Sequence, residues 1–559
     1  MARPKRRFNQ GPGQHKKQKA KQGQNGWSEG STQEVLLKDV QKILSQQRSP
    51  SNLIEHEGNE IPDSADNSMK QSIKNDLPER FSEITLQIER LSSTGDGLGF
   101  TKAKDHVYVV PFTAPGDKVL AKVVTHFPID AYTLTDFVKI IEPSPLRDDS
   151  RVKCQYFSRC SGCQFQMLSY EEQLKHKKHI IEEAYRNFSN LDPSLVPAVA
   201  DTIGSPKQYE YRTKLTPHFD GPPGGRRAKR SAEGPVFKEV PSIGFMMKGR
   251  RTTMDIEDCP IGTDAVRMGM KNERKRVARE LNTYKRGATL LLRESTRRIP
   301  KNPDENNIYG TTREFEEVNT SEESVIRRDF PTYIEESTCI TNPNGTTTEY
   351  IDNFSFTNPA GSFFQNNNSI LPLFTSYIRN HCPLPPSQPS SETSASPSRP
   401  IKNLIDAYCG SGLFTITLSS LFTSSSGIDI AESSIISART NATANSVPNA
   451  KFIAADAAAL FADVQYPPSE TLMVIDPPRK GCDENFLRQL LDYGPKRLVY
   501  VSCNVHTQAR DVGYLIVGNE KCKYSIESLQ GFDFFPQTGH VESVAVLNRD
   551  ENNNNVENP

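Results

Sequence analysis

The sequence has few cysteines, no net charge and no long apolar run, and each lack excludes something. Ten cysteines in 559 residues are too few and too unevenly spaced for a disulfide framework, which points to a reducing, intracellular compartment, nucleus or cytoplasm. No stretch has the length and apolarity of a membrane span or of the core of a secretory signal, so no membrane partner is expected. Lys plus Arg and Asp plus Glu each number 68, but the balance hides a segregation. Arg3, Lys5, Arg6, Arg7, Lys16, Lys17, Lys19 and Lys21 all precede the first acidic residue. Such an arm suits a nuclear address or an RNA-attracting tail, and it falls short of the Arg/Ser/apolar pattern of a mitochondrial presequence.

Residues 1–78 are rich in Gln, Lys, Gly, Ser and Asn. They cannot bury enough apolar surface to offset the cost of ordering, so a disordered arm is expected, with one short helix at Val35–Leu44. The arm should add non-specific affinity for RNA and nothing to chemistry. Residues 79–143 carry short alternating segments (Ile84–Ile88, Val107–Val110, Val119–Val124, Phe137–Ile141) between glycine and proline turns. That pattern predicts a small antiparallel, OB-like barrel.

Residues 144–349 form a central α+β region that opens on Cys154, Cys160 and Cys163. Three thiols so close in sequence can converge on one metal centre, with Gly162 permitting the turn. Cys259, His176 and His179 are candidates for a fourth ligand, and zinc or an iron–sulfur cluster would satisfy such a set equally. Further on, Tyr211, Arg212 and Lys214 mix aromatic and basic character as RNA contact requires, and a solvated sheet face would read the same way.

From 350 to 548 apolar strands alternate with helical stretches, which predicts an α/β fold with a parallel, doubly wound sheet. Cys382–Pro400, almost wholly Pro and Ser, reads as a surface insertion in this domain, and 549–559 as a disordered tail. Ligands of such sheets bind beyond the carboxyl ends of the strands. Asp406-Ala-Tyr-Cys-Gly-Ser-Gly412, Asp429, Asp476-Pro-Pro-Arg-Lys-Gly481 and Cys503 all fall there. A dinucleotide motif would have a third glycine where Thr415 stands, so NAD is disfavoured. Asp429 is placed to accept from ribose hydroxyls, or simply to cap the next helix. Cys503, at a strand end facing the N–H groups of a following helix, is a candidate nucleophile whose thiolate the helix would favour.

Asp406–Gly412, Asp476–Gly481, Val501-Ser-Cys-Asn504 and Pro536-Gln-Thr-Gly-His-Val-Glu542 together resemble the RNA uracil-5-methyltransferases. The resemblance spans about residues 81–548. It implies a Rossmann-like methyltransferase domain, a TRAM domain in the barrel and a 4Fe-4S cluster on Cys154, Cys160, Cys163 and Cys259. It implies that Gln365, Tyr408, Asp429 and Asp476 bind S-adenosyl-L-methionine, with Asp456 as an adenine contact. Cys503 would be the nucleophile and Glu542 the base, and the basic arm and inserts look most like the enzymes that make 5-methyluridine in the tRNA T-loop, here expected to act as a monomer on tRNA. The chemistry agrees: thiolate addition at carbon 6 makes carbon 5 of uracil nucleophilic, and a carboxylate must then remove the carbon-5 proton. An rRNA uridine substrate stands as an alternative. An RNA cytosine-5-methyltransferase would carry a cysteine just after proline where Arg479 stands. A binding protein with a vestigial site would not need Cys503 and Glu542.

Overall fold

The computed structural model describes residues 28–47, 77–222, 236–301, 316–320, 323–384, 400–455 and 465–550. Asp456, the basic arm up to residue 27, most of the Pro/Ser-rich insertion and the acidic tail lie outside these residues.

Strands Glu83–Leu91, Gly97–Phe100, Val107–Val110, Lys118–Phe127 and Tyr132–Glu142 close into a barrel. Period-two alternation turns Val119, Ala121 and Val123 inward, where the first two meet Leu86, Ile88, Tyr108 and Val110. The expected antiparallel barrel is corrected at one seam: Val107–Val110 runs parallel to Tyr132–Glu142, and this pair closes the ring.

The barrel leaves a second apolar surface, Leu98, Phe100, Val107, Val109 and Tyr132, on its outside. Leu36, Val40, Ile43 and Leu44 cover it from the helix Thr32–Gln47. The short helix expected at Val35–Leu44 is present and longer, Thr32–Gln47, and what the expectation of a disordered arm lacked is its packing on the barrel. The low mean hydropathy of the arm hides one amphipathic stretch, and its partner surface lies about fifty residues further along the chain.

In the central region the helix Tyr170–Phe188 starts at Ser169, whose hydroxyl accepts from Glu172 N. Its buried Ile180, Ile181, Ala184 and Tyr185 pack with Val505, Ala509 and Val512 of the helix Val505–Val517. Beyond it lie a four-stranded sheet, a five-stranded sheet built on Leu292–Pro300 and Tyr333–Ile340, and the hairpin Thr346–Ile351 with Phe354–Pro359.

The largest sheet contains Asn403–Ala407, Ser424–Asp429, Ala450–Ala454, Thr471–Ile475, Arg497–Ser502, Tyr524–Phe532 and Glu542–Arg549. Numbered along the chain, their spatial order is three-two-one-four-five-seven-six. The first five are parallel, as their alternation with helices predicts. The last two run antiparallel, which corrects the wholly parallel expectation at that edge. Every residue of Asn403–Ala407, Thr471–Ile475 and Arg497–Ser502 is buried, as both-face coverage by helices requires. Asn403–Ala407 has neighbours on both sides that come later in the chain, so the strand order reverses there and opens a crevice at its carboxyl end. Among the described residues no helix is long and apolar enough to cross a membrane.

Candidate active site

Ala407 pairs with Ile428 on one side and Ile475 on the other. The same register therefore brings Tyr408, Asp429 and Asp476 to the crevice together. The turn after Ala407 is tightly wound: Tyr408, Gly410 and Gly412 all have positive φ, at 65°, 52° and 93°. At Gly412 a side chain would be strained by φ and would meet Ile416 Cδ1 at 3.0 Å. Gly410 N donates to Asp429 Oδ2 (3.0 Å) and Ala431 N to Asp429 Oδ1 (2.8 Å), so Asp429 ties the glycine turn to the next helix. Each of its oxygens keeps a second lone pair for a ligand.

Thr415 explains the missing third glycine. Its N–H (2.9 Å) and hydroxyl (2.6 Å) both donate to Oδ2 of the fully buried Asp406. Asp406 Oδ1 has no protein partner, and burial raises this carboxyl to about 7. The ring of Tyr408 lies 5.5 Å from that of Phe486. Gln365 is buried just after Phe364, which packs against Phe356 in the core. Two residues on, Asn367 donates to Ser205 Oγ (3.0 Å) and Phe534 O (3.1 Å), tying this segment to the loop before Glu542.

The nucleophile candidate and the base candidate are set by one register. Ser502 pairs with Ser543 across antiparallel strands, so Cys503 follows and Glu542 precedes this rung on the same side. Glu542 is 3 % exposed. Burial raises it well above an ordinary carboxyl, the charge of Asp476 adds to that, and Arg479 opposes it. Burial and then Asp406 raise Asp476 to about 7. Two such carboxyls do not both ionise readily at neutral pH.

Cys503 departs from expectation. Its thiol is pushed up to about 12, by burial first and then by Glu542 and Asp476, while Arg479 opposes through its charge and a hydrogen bond. Burial, with the two carboxyls adding to it, outweighs the helix end, and Asn504 already caps that end by accepting from His506 N (3.3 Å). Arg479 is the cation that favours the ionised form of this thiol. Arg479 stood in the sequence only as a residue after two prolines, with nothing to show that its guanidinium turns to the thiol.

The loop leading to Glu542 is held from beneath. Lys177 donates to Asp533 Oδ1 and Phe535 O, and both members of that ion pair are fully buried. Gln173 exchanges hydrogen bonds with Gln537, and Gln164 Oε1 accepts from Gly539 N (2.9 Å). Tyr211 belongs to this support as well: it is 1 % exposed and its hydroxyl donates to Pro536 O (3.1 Å). It is no part of an RNA-facing surface, and Lys214 reaches back to Ser362 O (3.2 Å).

Away from the crevice, Cys154, Cys160, Cys163 and Cys259 line one cavity of about 180 Å³ with Phe157, Arg212 and Phe245. Burial raises all four thiols, Cys259 to about 12, and neighbouring cysteines add to the shift at Cys160, Cys163 and Cys259. His176 and His179 line a different cavity, between the barrel and the helix Tyr170–Phe188. Cys259 is thus the fourth residue brought to the set. Among the described residues no group of three or more His, Cys, Asp or Glu could hold a metal ion.

The sheet order, the glycine turn and the acids at successive strand ends define a Rossmann-like methyltransferase. Residues 397–550 match the family model described as tRNA (uracil-5-)-methyltransferase. The Schizosaccharomyces pombe tRNA (uracil(54)-C(5))-methyltransferase is 45% identical over 485 residues, which cover 87% of this chain and 82% of that one. The Saccharomyces cerevisiae protein of the same name is 38% identical over 539 residues, with 90% and 81% covered. The chain belongs to the tRNA (uracil-5-)-methyltransferase family. Its fold is similar to the solved structure of Pyrococcus abyssi tRNA (uracil-54, C5)-methyltransferase in complex with S-adenosyl-L-homocysteine, with a TM-score of 0.54 and 23% identity, covering 83% of this chain and 100% of that one.

Proposed function

We propose that this enzyme methylates carbon 5 of the T-loop uridine in tRNA, with S-adenosyl-L-methionine as methyl donor, Cys503 as nucleophile and Glu542 as base. The observation that carries the reading is the register of Ser502 on Ser543, which brings a thiol and a carboxyl to one point of the crevice. The donor supplies a methyl group on a sulfonium. Tyr408, Asp429, Asp476 and Gln365 would hold it, and the spare lone pairs of Asp429 and the unpartnered Asp406 Oδ1 fit a ligand rich in hydroxyl and ammonium donors.

Arg479 stabilises the thiolate of Cys503 as it adds to carbon 6, which makes carbon 5 nucleophilic. After methyl transfer, Glu542 takes the carbon-5 proton, and expulsion of the thiolate restores the aromatic ring. The target base must leave its stack to reach Cys503. In this reading the barrel is a TRAM domain that holds RNA, and the basic arm adds non-specific affinity.

Although the four cysteines do not close on a point that would hold a single metal ion, they line one cavity and would carry a 4Fe-4S cluster. A cavity of about 180 Å³ is roughly ten times what one water needs. Such a space fits a polyatomic group better than a single zinc ion, and four thiols are the ligand set such a cluster takes.

The test is methyl transfer from labelled S-adenosyl-L-methionine to unmodified tRNA, followed by nucleoside analysis. Label in 5-methyluridine at the T-loop supports the proposal. Label in 5-methylcytidine, or none, defeats it.

A further inference from the structure

The segment just before the helix Thr32–Gln47 reaches the turn that carries Cys503. Ser31 and Glu34 open this helix: Glu34 N donates to Ser31 Oγ (3.4 Å) and Gly30 N donates to Glu34 Oε2 (2.7 Å). That cap aims Gly30 at the catalytic unit. Asn504 Nδ2, one residue after the nucleophile, donates both to Gly30 O (3.3 Å) and to Arg479 O (2.9 Å). Thr507 Oγ1 donates to Arg479 O as well (3.2 Å). Glu29 pairs with Arg510 (3.2 Å), whose guanidinium also donates to Lys480 O (3.1 Å) and Cys482 O (3.3 Å) in the loop carrying Arg479.

Gly30 approaches this turn more closely than another residue could. Its φ is +67°, and a Cβ there would lie 2.6 Å from Thr507 Cγ2. The helix behind it is fastened at four further points. Its apolar face lies on the barrel, Val35 packs into the core beneath the helix Val505–Val517, and Lys42 pairs with the nearly buried Glu183 (2.5 Å). Asp39 accepts from Ser93 N (2.6 Å) at the barrel loop. The anchorage at the back is extensive and the contact at the front is small, as befits a part that sets a position.

We infer that residues 28–47 are a strap that locks the barrel to the catalytic unit, and that Gly30 and Glu29 at its tip are positioning residues for the Cys503 turn and the Arg479 loop. The inference rests on Cys503 acting as nucleophile. It departs from the expectation that the whole arm adds nothing to chemistry. The exposed Glu29–Arg510 pair contributes little by itself. The Gly30 carbonyl on Asn504 carries the effect, because Asn504 joins the nucleophile's turn to the loop that supplies its cation.

The test compares the full chain, a chain beginning at residue 28, a chain beginning at residue 32 and Gly30→Val. For each, the rate of covalent adduct formation on 5-fluorouridine-containing tRNA is measured with the tRNA Kd, the S-adenosyl-L-methionine KM and the thermal midpoint. The chain beginning at 28, which lacks the basic arm, should bind tRNA more weakly than the full chain but match its adduct rate at saturating tRNA. The chain beginning at 32, against the chain beginning at 28, and Gly30→Val, against the full chain, should form adduct about tenfold or more slowly, with Kd and KM within twofold of that reference and folding intact. Equal adduct rates in all four overturn the strap's role. If the shorter chain fails to fold, Gly30→Val decides, because it keeps the whole apolar face. Failure of the unaltered enzyme to form any adduct would instead defeat the assignment of Cys503.

Discussion

Asp476, just after strand four, makes Glu542, which opens strand seven of the sheet, harder to ionise: burial and then the charge of Asp476 hold Glu542 far above its ordinary range, while burial and then Asp406 raise Asp476 to about 7. Arg479 is the cation that opposes this at Glu542. The site therefore holds a thiol and a carboxyl pair that are reluctant to ionise, beside one arginine.

The raised carboxyls set a pH dependence of known sign. They bind protons in the folded state that an unfolded chain has already released, so ionising them costs stability as pH rises. The unliganded enzyme should lose thermal stability from about pH 5 to pH 8, and Glu542→Gln should flatten that loss. A wild-type midpoint that climbs steadily over this interval would contradict the assignment.

Catalysis should run the other way. Proton removal by Glu542 needs its carboxylate, so the single-turnover rate of product release should rise with pH through a point well above the ordinary carboxylate range. Asp476→Asn, assayed at saturating S-adenosyl-L-methionine, removes the neighbouring charge and should move that rise to lower pH. A profile that stays in place would show that the two carboxyls are not linked.

Arg479→Leu should slow adduct formation by roughly thirtyfold, the equivalent of about 2 kcal/mol for a lost charged hydrogen bond. The tRNA Kd should change far less. Measuring adduct formation on 5-fluorouridine tRNA against pH separates this from a binding defect, because the mutant should gain more than the wild type as pH rises and the thiol ionises without help.

The buried ion pair under the base loop gives a stability prediction. Lys177→Met leaves Asp533 uncompensated and should cost about 3–5 kcal/mol, whereas Lys177→Met with Asp533→Leu should recover much of it. Denaturant unfolding of both variants checks this. A double variant as unstable as the single one would show that the pair is not what holds Asp533 in place.

Most of the large sheet was legible in the chain because its strands are continuous apolar runs bounded by glycine, proline and acid. The apolar runs Leu404–Ala407, Thr471–Ile475 and Arg497–Val501, which the sequence offers as strands, fall within a residue of the strands Asn403–Ala407, Thr471–Ile475 and Arg497–Ser502. The strand-end chemistry was legible for the same reason, since position at a strand's carboxyl end follows from the strand itself. What was hidden depends on contacts between remote parts. Lys177 on a charged helix reads as solvated until Asp533 is placed beside it. Tyr211 reads as an exposed aromatic until Pro536 is. The short helix expected at Val35–Leu44 has no visible partner in the chain until the outer face of the barrel is placed against it. The surroundings of Cys503 were hidden because a helix end is a local feature, whereas the burial of its thiol and the approach of Glu542, Asp476 and Arg479 depend on other strands and loops.

The order of events at Cys503 and Glu542 is tested most directly by incubating Glu542→Gln with tRNA and labelled S-adenosyl-L-methionine, then resolving the products under denaturing conditions. The account predicts a protein–RNA adduct that carries the label, because addition and methyl transfer precede the step that Glu542 performs; Cys503→Ala should give no adduct. Wild-type turnover by Glu542→Gln without a trapped adduct, or an adduct formed by Cys503→Ala, would contradict it.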